Sequence, residues 1–182
     1  MPTFRLQRDR TSLLVVDVQE RLCGAMANDA LERMLNRVNA AIEGARALAL
    51  PVLVTEQYPK GLGSTHSLVK ARLGDFSAVE KREFSACVPD VVMGLGAREQ
   101  VLVVGMETHV CVFQTVRALV ERGFTPFVCA DAVLSRHPED RRVGLEACRD
   151  VGARLLTVEL ALFDLLGSAD APEFKKISAA VR

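Results

Sequence analysis

Several features that mark common classes of protein are missing from this chain. It has no tryptophan, one tyrosine and three histidines, so aromatic stacking surfaces are scarce. Its formal net charge at pH 7 is +0, and the sequence has no basic stripe and no acidic tail. Nucleic acids and anionic membranes select for clustered positive charge, so neither is expected as a partner.

The cysteines and the apolar segments exclude two further classes. There are five cysteines, and none of them forms a Cys-x-x-Cys pair. An odd count without that spacing disfavours a disulfide framework or a structural zinc site, and it fits a reducing cytoplasm. The apolar run near the N-terminus is short and is closed by Asp17, so neither a signal peptide nor a membrane span is predicted.

What the chain does contain is the composition of an ordinary folded domain. Of its 182 residues, 49% are hydrophobic and 25% are charged. That length and composition suit one substantial core, so we expect a single domain over residues 1–182. A surface of near-zero net charge also favours self-association.

Apolar runs alternate with helical patterns along the chain. Runs that are apolar at nearly every position are typical of strands covered on both faces, and the spacing of apolar residues between them is typical of amphipathic helices. This alternation predicts an α/β fold, a single doubly wound domain with a parallel sheet and helices on both faces. The predicted strands are residues 11–19, 50–57, a short one at Lys81, 100–106, 124–132 and 154–160. The main predicted helices are residues 29–48, 87–99 ending near Gly96, 111–123 ending at Gly123, and 137–153 beginning at Pro138.

The ends of the predicted strands carry reactive side chains. In a doubly wound sheet, the carboxyl ends of the strands line the crevice where ligands bind. An acid, an amine and a thiol are therefore predicted to converge from distant points of the chain. In chain order, the residues at these ends are Asp17, Glu56 with Gln57, Lys81, Cys111 and Asp131.

Each of these residues also has a purely structural interpretation. Asp17 can cap a turn, Lys81 can be one charge of a solvated run, and Cys111 can be a small core residue. Two considerations favour chemistry. A carboxylate directly after an apolar run is costly to desolvate and needs a partner. Cys111 is expected in the first turn of a helix, where free N–H groups and the helix dipole stabilise a thiolate.

The remaining cysteines and the histidines carry weaker signals. Cys129 lies inside an apolar strand and is interpreted as a core residue. His109 lies two residues before Cys111, and close neighbours at a helix start generally point apart, so it is expected to line the pocket rather than act as a base. His66 and His137 are expected in loops, with His137 capping the helix that Pro138 begins.

Five segments in order resemble the isochorismatase-like hydrolase superfamily, which includes the nicotinamidases and N-carbamoylsarcosine amidohydrolase. The chain is most similar to the small isochorismatase-domain proteins. Each segment is a weak signal alone, but the five at suitable spacing cover nearly the whole chain. The resemblance implies a six-stranded parallel sheet of order 3-2-1-4-5-6 and a homo-oligomer, a dimer or larger. The segments are "LLVVDVQ", "VEKREFSA", "VVGMETHVCVFQTVRALVERGF", "CADAVLSRHPEDR" and "ELALFDLLGSADAPEFKKI".

The resemblance also implies a site and a reaction. By motif, Asp17, Lys81 and Cys111 take the places of the family's catalytic triad. It further implies a cis peptide bond between Met106 and Glu107, with the backbone N–H groups of Glu107 and Cys111 as the oxyanion hole. In this hypothesis Asp17 accepts the thiol proton, Lys81 holds the pair and favours the thiolate, and Cys111 attacks a carbonyl carbon to form a thioester.

Two departures from family patterns narrow the substrate. Isochorismatases proper lack the cysteine, so Cys111 argues against vinyl-ether hydrolysis and for a small amide or carbamoyl-type substrate. Nicotinamidases carry an Asp-x-His…His metal cluster after strand two, whereas this chain offers Glu56 and His66 there, a poor metal site. We predict no metal and no cofactor. The expected pocket wall consists of Gln19, Leu22, Gln57, Phe84 and His109.

Three other functions were weighed. An aspartate-nucleophile phosphotransferase needs a second acid to bind Mg²⁺, and Gln19 stands where that acid is expected. A dinucleotide-binding domain needs Gly-x-Gly-x-x-Gly after the first strand, which "VVDVQERLCGAM" lacks. A catalytically silent scaffold or binding protein with the same fold stays open at this point.

Overall fold

A computed structural model describes residues 4–182 of the chain. Its sheet has six strands: β1 (Thr11–Val16), β2 (Val52–Gln57), β3 (Val79–Lys81), β4 (Gln100–Met106), β5 (Thr125–Leu134) and β6 (Arg154–Leu156). The strands are all parallel and lie in the order β3-β2-β1-β4-β5-β6. This confirms the predicted doubly wound order, which places β1 and β4 side by side at the centre.

Helices pack on both faces of this sheet. They are α1 (Glu20–Cys23), α2 (Asn28–Ala47), α3 (Pro59–Leu62), α4 (Ser67–Leu73), α5 (Pro89–Leu95), α6 (Phe113–Glu121), α7 (Pro138–Asp150), α8 (Val158–Leu166) and α9 (Phe174–Ala180). A 3-10 turn (Arg8–Arg10) precedes β1. Within residues 4–182, no helix is long and apolar enough to cross a membrane.

The central strand shows how two cores form from one apolar run. Successive side chains of a strand point to opposite faces, and every residue of β1 is buried. Leu13 and Val15 join the core under α2, α8 and α9. Leu14 and Val16 join the core under α5, α6 and α7. Polar side chains are therefore left to the strand ends, which is where the candidate site forms.

The predictions for three strand ends were wrong. The first strand ends at Val16 rather than at residue 19, because Asp17 leaves the extended conformation with a φ of 50°. The fifth strand continues past Asp131 to Leu134 through a shift in its register with β4. The sixth ends at Leu156, because the side chain of Thr157 accepts a hydrogen bond from Leu160 N–H and caps α8.

Gly105 allows β4 to lie unusually close to β1 beside the site. Its φ of +120° is a conformation that L side chains rarely adopt. A Cβ atom at this position would lie 2.0 Å from the carbonyl oxygen of Val16, the residue before Asp17. Glycine is thus required where the ends of the two central strands meet.

Cys111 lies in a π-helical turn, Thr108–Val112, that leads into α6. Cys111 thus lies in the first helical turn after β4, as predicted, although this turn is π-helical. The π turn inserts an extra residue between the end of β4 and the regular helix. The helix after Cys111 was predicted to end at Gly123. In the structure α6 ends at Glu121, and Gly123 follows with a φ of +84°.

Two other predicted helix boundaries are confirmed. The helix α5 ends at Leu95 with Gly96 as its cap, and α7 begins at Pro138.

Candidate functional site

Asp17 is completely buried at the carboxyl end of β1 and has two side-chain partners. Thr55 on β2 donates its hydroxyl to Asp17 Oδ1 at 2.7 Å. Lys81 at the end of β3 places Nζ 2.6 Å from Asp17 Oδ2. The left-handed backbone of Asp17 and its N–H bond to Thr55 O at 3.2 Å turn this carboxyl across the strand ends. A buried carboxylate thus has the partners that its desolvation requires.

The ammonium of Lys81 is saturated with acceptors. Besides Asp17, it faces Gln57 Oε1 at 2.7 Å and the backbone oxygens of Glu83 at 3.2 Å and Phe84 at 3.1 Å. Four acceptors surround a group with three hydrogens, and the side chain has no exposed surface. The charge is therefore fixed in place beside Asp17 rather than shared with solvent.

The thiol of Cys111 lies close enough to the carboxyl of Asp17 for that charge to act on its pKa, and Cys111 is 6% exposed. Burial, then the charge of Asp17, raises the pKa of this thiol to about 12, and Lys81 opposes the rise. The effect of Lys81 on the Cys111 pKa has the predicted direction, toward the thiolate, but it is smaller than the effect of burial. Desolvation dominates in this enclosed position, so the sulfur rests as a thiol. Burial also raises the pKa of Asp17, against the opposing effect of Lys81.

The other four cysteines are free and buried. Burial raises the pKa of the Cys23 and Cys148 thiols to about 12, and it raises the pKa of Cys87 and Cys129 as well. Cys129 is a core residue, as predicted. The raised pKa is thus a common result of burial in this protein, and the carboxyl and ammonium neighbours are what set Cys111 apart.

Glu107 connects the turn before Cys111 to the loop between β5 and α7. The peptide bond between Met106 and Glu107 is cis. The carboxylate of Glu107 is almost buried and accepts hydrogen bonds from Arg136 N at 3.0 Å and Arg136 Nε at 3.1 Å. Arg136 was not identified from the sequence, because a residue 29 positions away gives no local signal of this pairing.

Gln19 is a buried structural residue rather than part of a pocket wall, which corrects the prediction. Its Nε2 donates to Gln57 O at 3.1 Å and to Gly63 O at 2.6 Å. Its Oε1 accepts from Gln57 N at 2.7 Å. The side chain is fully buried and fastens the β1 end to β2 and the following loop. Every polar atom of its amide is already used by the backbone.

Of the other predicted wall residues, Gln57 contacts Lys81, Leu22 is partly buried in the core, and the ring of Phe84 is exposed. Gln57 contacts Lys81 directly and donates from Nε2 to Arg82 O at 2.8 Å. Leu22 is partly buried against the core under α2. The ring of Phe84 is exposed, although the backbone oxygen of Phe84 accepts from Lys81.

His109 points toward the β5–α7 loop. Its Nδ1 lies 3.0 Å from Ser135 Oγ, and its Nε2 lies 3.8 Å from Asp140 Oδ2. Both ring nitrogens of His109 therefore face polar groups of the β5–α7 loop and of the first turn of α7. His137 occupies the position before α7, but its side chain makes no capping hydrogen bond, so the capping prediction was wrong.

The residues considered for a metal are engaged in other contacts. Glu56 Oε1 accepts from Thr65 N and Thr65 Oγ1, both at 2.7 Å. His66 Nδ1 accepts from Leu68 N at 3.3 Å and caps α4. Asp131 accepts from Val158 N at 2.9 Å at the start of α8, away from the triad. Within residues 4–182, no group of three or more His, Cys, Asp or Glu side chains is placed to hold a metal ion.

The thiol side of the site also has polar support that the sequence did not reveal. Thr115 on α6 donates its hydroxyl to Cys111 O at 2.6 Å and accepts from Ala86 N at 2.7 Å. Thr55 was missed in the same way, although a polar residue inside the apolar run "VLVTEQ" is a weak signal of such a contact. Thr55 thus holds the carboxyl of Asp17, and Thr115 holds the backbone of Cys111.

Two cavities lie outside the triad itself. One of about 370 Å³ borders Lys81 and is lined by Tyr58, Arg82 and neighbouring residues. A larger one of about 800 Å³ runs along α2 beside the end of β5. Neither is lined by Asp17 or Cys111, and Cys111 is the most exposed of the three candidate catalytic residues, at 6%.

The fold and these contacts define a class: a doubly wound α/β domain with a buried acid–amine pair beside a thiol at the carboxyl edge of its sheet. The model of the isochorismatase domain matches residues 11–159. A secreted isochorismatase effector of Phytophthora sojae is 38% identical over 185 residues, spanning 98% of this chain and 87% of that protein. The chain belongs to the isochorismatase family, which makes it an isochorismatase-family hydrolase.

Solved structures agree with this assignment. A structure described as a MAR1 ribonuclease from Caenorhabditis elegans has a TM-score of 0.92 and 35% identity, covering 97% of this chain and 92% of that one. The YcaC gene product of Escherichia coli, described as an octameric hydrolase of unknown specificity, has a TM-score of 0.88 and 23% identity, covering 99% of this chain and 90% of that one. The second likeness shows the fold alone.

Proposed function

We propose that the protein is a metal-independent cysteine hydrolase that cleaves a C–N bond of a small amide or carbamoyl-type substrate. The triad is Asp17, Lys81 and Cys111. The observation that carries the proposal is the position of Asp17, which lies beside the Cys111 thiol and acts on its pKa, and whose Oδ2 lies 2.6 Å from Lys81 Nζ. A nucleophile touching a base that a third group orients is the arrangement that covalent catalysis requires.

The first half of the reaction transfers one proton and forms one bond. Asp17 accepts the thiol proton as the sulfur of Cys111 attacks the carbonyl carbon. The carbonyl electron pair moves to oxygen, and the backbone N–H groups of Glu107 and Cys111 stabilise the resulting oxyanion. The tetrahedral intermediate then expels the amine, which takes the proton from Asp17, and a thioester remains on Cys111.

The second half restores the enzyme. Asp17 accepts a proton from water as the water oxygen attacks the thioester carbon. The intermediate breaks its C–S bond, the sulfur recovers a proton from Asp17, and the acid product leaves. Lys81 stays protonated throughout and holds the carboxylate of Asp17 toward the sulfur, since its four acceptors fix its position.

The raised pKa values fit this sequence of steps. A thiol whose pKa is raised to about 12 needs its base in contact, because a free thiolate is rare at neutral pH. A carboxyl whose pKa is raised by burial is a better proton acceptor than an ordinary aspartate. Proton transfer and attack are therefore coupled in this proposal, and no resting ion pair between sulfur and lysine is needed.

The enclosure of the triad supports a small substrate. Asp17 and Lys81 have no exposed side-chain surface, and Cys111 is only slightly exposed. Phe84 and His109 stay the candidates for contacts with substrate outside this centre. RNA, the substrate class implied by the name of the C. elegans neighbour, is disfavoured because a phosphodiester backbone cannot reach side chains enclosed to this degree.

The cellular setting is also a proposal. We propose a cytoplasmic protein that acts without a cofactor and assembles as a dimer or larger, since five free thiols fit a reducing compartment. The P. sojae relative is named as secreted, so the compartment needs its own measurement. A catalytically silent scaffold is the alternative, and the saturated charges at the triad are a costly arrangement for a protein without chemistry.

The test is a screen of small amides and carbamoyl compounds with mass detection of an acyl adduct. We expect an adduct on Cys111 and amine release with a compound of this class. Cys111→Ser and Asp17→Asn should each lower turnover by at least about a thousandfold, as for members of catalytic triads elsewhere. Cys87→Ser is the matched control, because Cys87 is 7% exposed against 6% for Cys111 and should leave turnover unchanged.

The alternatives have distinct outcomes. Full turnover in Cys111→Ser would refute nucleophilic cysteine catalysis. Absence of any adduct across the screen, with binding partners retained by Cys111→Ser, would support the scaffold. Cleavage of a fluorescent single-stranded RNA that is lost in Cys111→Ser would replace the amide with a nucleic acid substrate.

A further inference from the structure

A second feature of the molecule is an arginine-lined groove, which is separate from the triad. It is the cavity of about 800 Å³ between α2, the end of β5, the start of α7 and the last residues of the chain. Two acids, Glu43 and Asp131, line it as well. Its arginines are Arg33, Arg37, Arg72, Arg136, Arg141 and Arg182.

Two of these guanidinium groups are held by backbone oxygens beside the floor of the groove. Arg37 donates from Nη1 to Val181 O at 2.8 Å. Arg141 donates from Nε to Val133 O at 3.0 Å and from Nη2 to Ala130 O. A carbonyl oxygen orients a guanidinium without neutralising its charge. Among residues 4–182, no acid lies within ion-pair distance of Arg141, and the Nε of Arg37 is 3.7 Å from Asp131.

The ion pairs at the rim are exposed and exchangeable. Arg33 pairs with Asp29 at 3.2 Å while both side chains remain more than 70% exposed. Arg72 pairs with Glu43, also at the surface. Exposed pairs of this kind contribute little, so a multiply charged anion can replace these acids at small cost.

An unmatched amide lies in the same wall. The side-chain oxygen of Asn39 on α2 is buried and has no hydrogen-bond partner among the described residues. Buried polar atoms are nearly always paired, so the amide of Asn39, whose residue lines the groove, has hydrogen-bonding capacity that no described protein group uses.

We propose that the arginine groove is a binding site for a small organic anion that bears phosphate or several carboxylate groups. Arg37 and Arg141 form its centre, because a planar guanidinium fork binds such oxygens in pairs. A volume of about 800 Å³ lies in the range of small-molecule pockets. The chain has no net charge and no extended basic track, which favours a compact anion over a polynucleotide. The proposal does not depend on the reaction at Cys111.

The test is isothermal titration of the full chain with pyrophosphate and with citrate at low and physiological salt. We expect binding of at least one probe that weakens as salt rises. Arg141→Gln and Arg37→Gln should each lower the affinity at least tenfold. Arg149→Gln is the matched control, since Arg149 is exposed on the same helix as Arg141 but does not line the groove. Melting curves of each variant verify folding.

Several results would overturn the proposal. One is no binding of either probe at millimolar concentration by the folded protein. Another is unchanged affinity for the probe in a folded Arg141→Gln or Arg37→Gln variant. A ten-nucleotide single-stranded RNA that binds tenfold more tightly than pyrophosphate would replace the small anion with a polynucleotide.

Discussion

The triad and the arginine groove handle charge in opposite ways. At the triad, Asp17 and Lys81 are fully buried, and each of their polar atoms has a fixed partner. In the groove, Arg33 and Arg72 have exposed ion pairs at the rim, whereas Arg37 and Arg136 pair with the less exposed Asp131 and Glu107. Burial makes every missing partner expensive, whereas water replaces a missing partner at the surface. The two regions should therefore differ sharply in their response to substitution.

The largest effect is expected from Gly105→Ala beside the triad. The new Cβ atom would lie 2.0 Å from Val16 O at a φ of +120°, so the central strands would have to separate. We expect a loss of about 5 kcal/mol or more in the free energy of unfolding, or no folded protein. Gly96→Ala is the matched control, with a φ of +58° and no atom within 4 Å of the new Cβ, and should cost about 1–2 kcal/mol. Similar urea midpoints for the two variants would show that the close approach of Gly105 to Val16 O does not exclude a Cβ atom at position 105.

The next largest effect is expected from Lys81→Met. It leaves the buried carboxylate of Asp17 without its ammonium partner, which costs about 3–5 kcal/mol in comparable pairs. The double variant Asp17→Asn/Lys81→Met removes both charges and should recover much of that loss. Urea denaturation of the wild type, Asp17→Asn, Lys81→Met and the double variant at pH 7 measures the coupling. A double variant no more stable than Lys81→Met would show that the pair is not what stabilises this edge.

A moderate effect is expected on raising the pH. Burial raises the pKa of the Cys111 and Cys148 thiols to about 12, whereas unfolded thiols ionise near 8.5. The unfolded state therefore loses protons first, so the stability present below pH 8 falls as pH rises toward 12, by about 2 kcal/mol per thiol at pH 10.

The control for this prediction is Cys148→Ala in reducing buffer. It removes one titrating thiol, so its free energy of unfolding should fall less steeply between pH 8 and pH 10 than that of the wild type. Parallel curves for the two proteins would contradict a folded-state pKa near 12 for Cys148.

The smallest effect is expected in the groove. Arg33→Gln removes one exposed ion pair with Asp29 and should change the free energy of unfolding by less than about 0.5 kcal/mol. Arg142→Gln, on α7 outside the groove and paired with Glu139 and Glu146, should behave in the same way. A loss above 2 kcal/mol in Arg33→Gln would mean that the groove stabilises the fold in the way the triad edge does.

Much of the fold followed from local patterns. The continuous apolar runs predicted central strands, and β4 begins and ends at the predicted residues. The errors lie where a single polar contact decides a boundary. Thr157 capping α8 ended the sixth strand early, and a register shift between β4 and β5 carried the fifth beyond Asp131. These events depend on contacts that residue type alone does not encode.

The candidate site was predictable in its members but not in its electrostatics. Asp17, Lys81 and Cys111 were identified because strand ends meet at one edge of a parallel sheet. Gln19 was assigned to the pocket wall, yet its amide is used by backbone partners. The pKa of Cys111 depends on burial, which only the packing of the surrounding helices sets.

By itself, the sequence determined the alternation of strands and helices, and hence the sheet edge at which the acid, the amine and the thiol would meet. Apolar periodicity and residue type act over short distances along the chain, so they carry that information. Only the tertiary structure decided that Cys111 rests as a thiol, that Arg136 holds Glu107, and that six arginines share one groove. Those outcomes depend on distances and desolvation between residues far apart in sequence, which exist only once the chain is folded.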